Sequence, residues 1–289
     1  MLTVFFQQVL NGVILGCIYA LIALGLSLIF GILEIANFAH GEFYMIGAFM
    51  ALFSITLLGV PFLAAMLIAM AGMAVTAALI ERAVFRPIVG KPLINSMLLS
   101  FGLSTALANL ALYFFKADPR KITSGLAKYR FSFFGLYMTG ERLAILVLSF
   151  SLVLLLAWFI QYTRTGKAMR AVAQDRVAAQ LAGINIRRIY SVTFAISGAL
   201  AAAAGTMVGA MFFVNPEMGF TVVLKSFVIV TLGGFGRIKG VILAAILIGL
   251  VESLGGGFVS YAYKDAYPFL LLVLLFIFRP EGLTGGRQQ

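Results

Sequence analysis

An all-α, polytopic transmembrane bundle of about eight to ten membrane segments is the fold class this sequence predicts, and three observations carry it. Hydrophobic residues fill 62% of the 289 positions and charged residues only 11%, with a mean hydropathy of +1.07. A water-soluble domain of that composition would expose apolar patches well beyond the roughly 300–600 Å² usual for the largest patch on a monomer. Apolar runs close to the ~20 residues that cross ~30 Å of hydrocarbon recur along the chain. Most of the charge falls in the short connectors between them.

Read against charged and Gly/Pro punctuation, membrane segments are expected near 9–30, 42–58, 61–81, 93–115, 142–162, 187–213, 220–235, 240–256 and 266–279. Several fall short of a full crossing, which suits one or two re-entrant or broken pieces. Together they leave one permeation domain over 1–289, with a cytoplasmic segment at about 164–188. Met1–Gln8 has neither a basic region nor a small-residue cleavage site, so the first helix is expected to stay on the mature protein. An inverted repeat is common in transporters, and the glycine-punctuated breaks at 31–41 and 233–240 are its candidates here. Their residue match is weak.

The +11 net charge speaks for orientation and not for a nucleic acid, because the cations are spread over connectors and form no single stripe. Arg82, Arg86 and Lys91 fall in one connector. Arg164, Lys167, Arg170, Arg176, Arg187 and Arg188 fall in another, and Arg237 with Lys239, then Arg279 with Arg287, mark two more. Taken as cytoplasmic, these place the N-terminus outside and the C-terminus inside. The segment Lys116–Arg142 conflicts with that pattern: it is rich in Lys and Arg yet must lie outside. Cys17 is the only cysteine, so neither a disulfide nor a thiolate metal site is expected within the chain.

Four stretches carry chemistry or contact. Glu34, Asn37, His40 and Glu42 stand between two strongly apolar runs; such polar groups must meet an interface, a watery cavity or one another. They read either as a hydrogen-bonded connector or as part of a translocation path or gate. One histidine with separated carboxylates does not make a metal site, and neither metal nor cofactor is expected. Asp175 suits the N-cap of a short helix over Arg176–Ala182, and Gly183 its left-handed end. Val177, Leu181 and Ile184 give that helix an apolar edge, fit for a partner's groove or for anionic membrane lipid.

Thr231–Gly240 is glycine-dense without phosphate-loop spacing, so it reads as a tight helical hairpin, with Gly233 and Gly234 as candidate gate points. Lys225 and Glu252 lie in apolar runs beside it; they could pair or line a cavity, and snorkelling to an interface is the plainer expectation. Gly12 with Gly16, Gly198 with Ala202, and Gly205 with Gly209 have the spacing that lets membrane helices meet backbone to backbone. No nucleophilic triad, zinc-protease motif or ATP-binding motif is present in the sequence, and so no enzyme is expected.

Six stretches resemble the LivH-type permeases of branched-chain amino acid ABC transporters: Tyr19–Gly31, Asn37–Glu42, Arg170–Asp175, Thr193–Ala201, Leu232–Gly236 and Phe278–Leu283. They occur in order over nearly the whole length. The resemblance implies a multi-pass protein of the cell inner membrane that imports branched-chain or related amino acids. It further implies two cytoplasmic ATP-binding subunits, a second and similar permease, and a periplasmic or lipid-anchored solute-binding protein. Permeases of this kind also serve urea and short amides. In this light Arg170–Gly183 is the ATPase-coupling region, with Asp175, Ala178, Ala179 and Gly183 matching the pattern around the docking helix. Arg170 precedes it and Leu181 lies on its apolar edge. An ion-coupled secondary transporter is the rival reading; it would need paired intramembrane acids, for which Glu34, Glu42 and Glu252 are thin material.

Overall fold

The computed structural model describes residues 1–133 and 135–278. Nine apolar helices make the bundle: α1 (Leu2–Leu33), α2 (His40–Leu58), α3 (Phe62–Ile80), α4 (Leu93–Phe115), α5 (Gly140–Tyr162), then α8 (Ile186–Met211), α9 (Met218–Gly233), α10 (Ile238–Phe258) and α11 (Tyr267–Phe278). Seven are long and apolar enough to cross a membrane, while α9 and α11 are shorter. This matches the expected segments closely, short pieces included. Two small helices, α6 (Arg164–Gln174) and α7 (Arg176–Leu181), fill the connector after α5. A hairpin of β1 (Arg130–Phe133) and β2 (Leu136–Thr139) precedes α5. Arg279, Arg287 and the Phe278–Leu283 motif beyond Phe278 lie outside the described residues.

The core is built around α1, which packs against α10, α8, α5 and α9. Small residues make that closeness feasible. A methyl group placed on Gly16 would stand 2.7 Å from Ile246 Cα, and one on Gly12 2.8 Å from Leu250 Cα. Backbone-to-backbone approach of this kind is how membrane helices gain dispersion energy where no hydrophobic drive separates helix from lipid. By contrast α3, α4, α5 and α11 turn large apolar side chains outward, among them Leu67, Leu98, Phe101, Leu155 and Leu274. Lipid or another membrane subunit is the natural covering for such faces.

The two ends of the bundle separate the charged connectors. At one end, Tyr137 N–H donates to Gln7 Oε1 at 2.9 Å and Arg142 Nη1 to Asn11 Oδ1 at 2.9 Å. Arg120 and Ile122 donate backbone N–H groups to Val214 and Gly209 at the end of α8. The Lys116–Arg142 segment therefore shares the end that holds the chain's N-terminus. At the other end, Arg176 reaches the end of α1, and Arg86 reaches Ser191 near the start of α8. The segment thus sits at the end that the expected count of nine membrane segments assigns to it. Several of its cations are bonded locally, Arg120 to Phe115 O and Arg142 to Asn11, and the positive-inside rule is a bias over connectors and no veto on any one.

Candidate functional site

The α1–α2 connection does not simply cross from one helix to the next. Glu34 takes a left-handed conformation, φ 57°, and its N–H closes α1 on Phe30 O at 2.9 Å. The chain then folds back into the bundle, so that α2 begins beside the middle of α1: His40 Nε2 donates to Ile22 O at 3.1 Å, about 16 Å back along α1 at ~1.5 Å per residue. Ser197 Oγ lies 3.5 Å from His40 Nδ1. His40 and Asn37 are fully buried and Glu42 is 1% exposed. Glu42 Oε1 accepts from Ser104 of α4 at 3.0 Å. Its Oε2 and both polar atoms of the Asn37 amide have no partner among the described residues.

Glu42 and Ser104 lie on the wall of a cavity of about 470 Å³ between α2, α4 and the start of α9, together with Thr105, Asn109, Glu217 and Thr221. The expected cluster therefore divides. Asn37, His40 and Glu42 are internal, with Glu42 on a cavity, whereas Glu34 has left for the opposite task at the bundle's end. Gly233 and Gly234 sit apart from this cavity, in the α9–α10 turn, where Gly233 packs on the backbone of Gly240 and Val241. Gly234 has φ 87°, a conformation for which glycine is suited. The hairpin reading holds.

A second cavity, about 400 Å³, opens at the N-terminal end of the bundle and shares Thr221 with the first. At its floor Lys225 of α9 is 3% exposed and Glu252 of α10 6%. Lys225 Nζ donates to Glu252 Oε1 at 2.8 Å and Oε2 at 2.9 Å, to Asp265 Oδ1 at 2.7 Å, and lies 3.3 Å from Tyr19 OH. Tyr19 OH in turn donates to Glu252 Oε2 at 3.0 Å. The expectation that Lys225 and Glu252 snorkel is corrected here: they face each other across two helices, because an ammonium at membrane depth costs less beside a carboxylate than alone. Asp265 was not singled out from sequence. It sits in the exposed link before α11, and only the fold carries it to Lys225.

At the other end, the connector after α5 forms a docking-sized projection. Asp175 Oδ1 accepts from Val177 N at 2.7 Å and Ala178 N at 3.0 Å, capping α7 as its residue type suggested. Gly183 ends it at φ 81°. Val177 is 69% exposed and Leu181 85%. Inward, Ala179 is buried, Arg170 Nη1 bonds the carbonyl of Ile160, and Met169 and Val172 of α6 pack on the core. Arg176 Nη2 donates to Leu33 O at 2.8 Å and pairs with Glu34 Oε2 at 3.2 Å. Of the six residues expected there, then, Leu181 faces out, Asp175 and Gly183 define the helix ends, and Arg170 and Ala179 seat the segment on the bundle. Ala178 supplies one of the two N–H groups that Asp175 caps.

Known proteins place this geometry. Residues 8–278 match a family described as branched-chain amino acid transport system, permease component. The chain is 36% identical, over 97% of its length and 96% of the relative's, to the high-affinity branched-chain amino acid transport system permease protein BraD of Pseudomonas aeruginosa. It is 35% identical to the corresponding LivH protein of Escherichia coli with the same coverage of each chain. The E. coli LivM permease protein is 39% identical over 160 residues, 53% of this chain and 37% of LivM.

Proposed function

The chain belongs to the permease-component family of branched-chain amino acid transport systems, and from that premise we propose that it translocates branched-chain amino acids across the inner membrane on ATP hydrolysed elsewhere. It is a multi-pass membrane permease and belongs to no catalytic family. The finer reading is an importer in which two cytoplasmic ATP-binding subunits drive one permeation domain, 1–289. A second permease completes the pathway, and likeness to LivM as well as LivH supports a related but different chain in that role. A solute-binding protein delivers the substrate at the N-terminal end.

One observation carries the coupling step. α7, capped by Asp175 and ended by Gly183, presents Val177 and Leu181 to water at the end of the bundle richest in arginine. Two bare apolar side chains on a polar, aqueous end are suited to a hydrophobic groove in a partner. Arg176 joins that helix to the end of α1, and α1 packs against four other membrane helices. A push on α7 therefore reaches the central helix of the bundle. The Glu42–Ser104 cavity, together with Asn37 and His40 behind it, supports a translocation path along the α2–α4–α9 side. Arg82, Arg86, Arg187 and Arg188 at the same end as α7 suit anionic lipid headgroups.

The test is uptake of radiolabelled leucine into proteoliposomes holding the full complex. ATP inside, with binding protein outside, is expected to drive accumulation. Asp175→Lys removes the cap and inverts the charge beside the docking face, and is expected to leave the bundle's melting temperature within about 2 °C of wild type while uptake falls roughly tenfold or more. Uptake driven by an ion gradient without the ATP-binding subunits would reject this mechanism.

A further inference from the structure

We propose that the cavity floored by Lys225, Glu252 and Tyr19 is a seat for the zwitterionic head of an α-amino acid, and that Asp265 is the carboxylate the substrate displaces on entry. The inference rests on the permease reading above and goes beyond it by naming the atoms that read the substrate.

Energetics argue first. A buried ion pair is a poor stabiliser: replacing it with apolar residues of similar volume is often neutral or better, and it becomes costly only when one partner is lost. A membrane bundle gains nothing in folding from Lys225 and Glu252 that leucine and methionine could not supply. Ionisable groups at such depth are retained for a task.

Geometry then defines the task. The cavity holds about 400 Å³, within the ~300–1,000 Å³ range of small-molecule sites. Lys225 Nζ, which donates to Asp265 Oδ1 at 2.7 Å, is the group a substrate carboxylate can bond once Asp265 leaves, while the Tyr19 hydroxyl, donating to the Glu252 carboxylate, holds Glu252 in place. Asp265 and Glu252 hold the opposite charge, suited to an ammonium. Leu15, Val208, Met211 and Val222 also line the cavity and offer apolar surface to a branched aliphatic side chain. The other charged groups on the wall are Arg142, bonded to Asn11, and Lys264, 3.1 Å from Tyr261 OH.

Asp265 differs from its partners in being 53% exposed at its side chain while it touches an ammonium that is almost wholly buried. It plugs the cavity from the solvent side. An incoming amino acid exchanges one ion pair for two: its carboxylate takes the place of Asp265 on Lys225, and its ammonium takes the freed Asp265 carboxylate. Because an existing contact is broken to make the new ones, net affinity is low. Low affinity is the property a permeation step needs when capture happens on a separate binding protein.

The experiment uses the complete reconstituted complex. Lys225→Met combined with Glu252→Leu removes both buried charges together, so the only carboxylate left without its partner is that of the half-exposed Asp265. The proposal expects a monodisperse complex whose leucine uptake is reduced on the order of 30-fold. If the pair only braces the helices, the double variant transports within twofold of wild type, and that result overturns the seat. Asp265→Asn, on an exposed link where folding is not at risk, is expected to cut uptake about fivefold; uptake equal to wild type also overturns it. A wild-type complex that takes up no amino acid with ATP would instead reject the transport reading itself, and the seat with it.

Discussion

The two ends of this molecule spend charge in opposite ways. At the N-terminal end, Lys225, Glu252 and Tyr19 form a buried network drawn from three helices, with hardly any solvent contact. At the opposite end, Arg176 and Glu34 make an ion pair at the rim, with side chains 26% and 77% exposed, and the helix they anchor is capped entirely by its own neighbours in sequence. The first arrangement is expensive to disturb and the second cheap, because depth inside the bundle decides what a charge is worth. On the readings proposed above, substrate recognition falls to the deep network and coupling to the shallow one.

That contrast breaks most visibly at Lys225. Lys225→Ala alone leaves Glu252 buried opposite nothing but Tyr19, and removing one member of a buried pair costs about 3–5 kcal/mol. The expected outcome is a complex that fails to assemble or melts many degrees lower in detergent, measured by a thermal size-exclusion assay. A single variant with wild-type melting would show that water reaches Glu252 freely and that this network is as shallow as the rim pair.

How each region could be read from sequence follows from the same contrast. The bundle was legible because the spans are strongly apolar and most of the charge lies in their connectors, so Leu93–Phe115 or Gly140–Tyr162 needed no partner to be found. α7 was legible because an aspartate cap and a glycine terminator act within one turn of the residues they serve. The Lys225 network was not. Tyr19 and Lys225 are 206 positions apart and Lys225 and Asp265 are 40 apart, and no local rule brings an exposed link onto a helix face. The signal available was the pair of lone charges in apolar runs on both sides of a glycine hairpin. Glu34 misled for a related reason: it neighbours Asn37, His40 and Glu42 in the chain, but its left-handed turn sends it to the rim while theirs go inward.

The next effect in size belongs to the docking face. Leu181→Asp puts a carboxylate on a side chain that touches little of its own protein, so the permease alone is expected to melt unchanged. Burial of an apolar anchor in a partner's groove is worth ~2 kcal/mol, and its loss is expected to weaken binding of the purified ATP-binding subunits about 30-fold, read by surface plasmon resonance on nanodisc-held permease. Unchanged affinity would move the docking face off α7.

The smallest of these expected functional losses is the most informative about coupling. Arg176→Ala removes a rim ion pair of the kind worth under ~1 kcal/mol and one bond to Leu33 O, so melting should fall by only about 2–4 °C. Yet Arg176 is the side chain that ties α7 to the end of α1, and with it gone the small helix can move without moving the bundle. ATP hydrolysis should therefore continue while leucine uptake per ATP drops several-fold, measured in the same proteoliposomes. Glu34→Gln keeps the Leu33 bond and loses only the ion pair, so its ratio should lie between the two. If Arg176→Ala lowered stability as far as Lys225→Ala does, the rim would be carrying the fold, and the division between a deep recognition end and a shallow coupling end would fail.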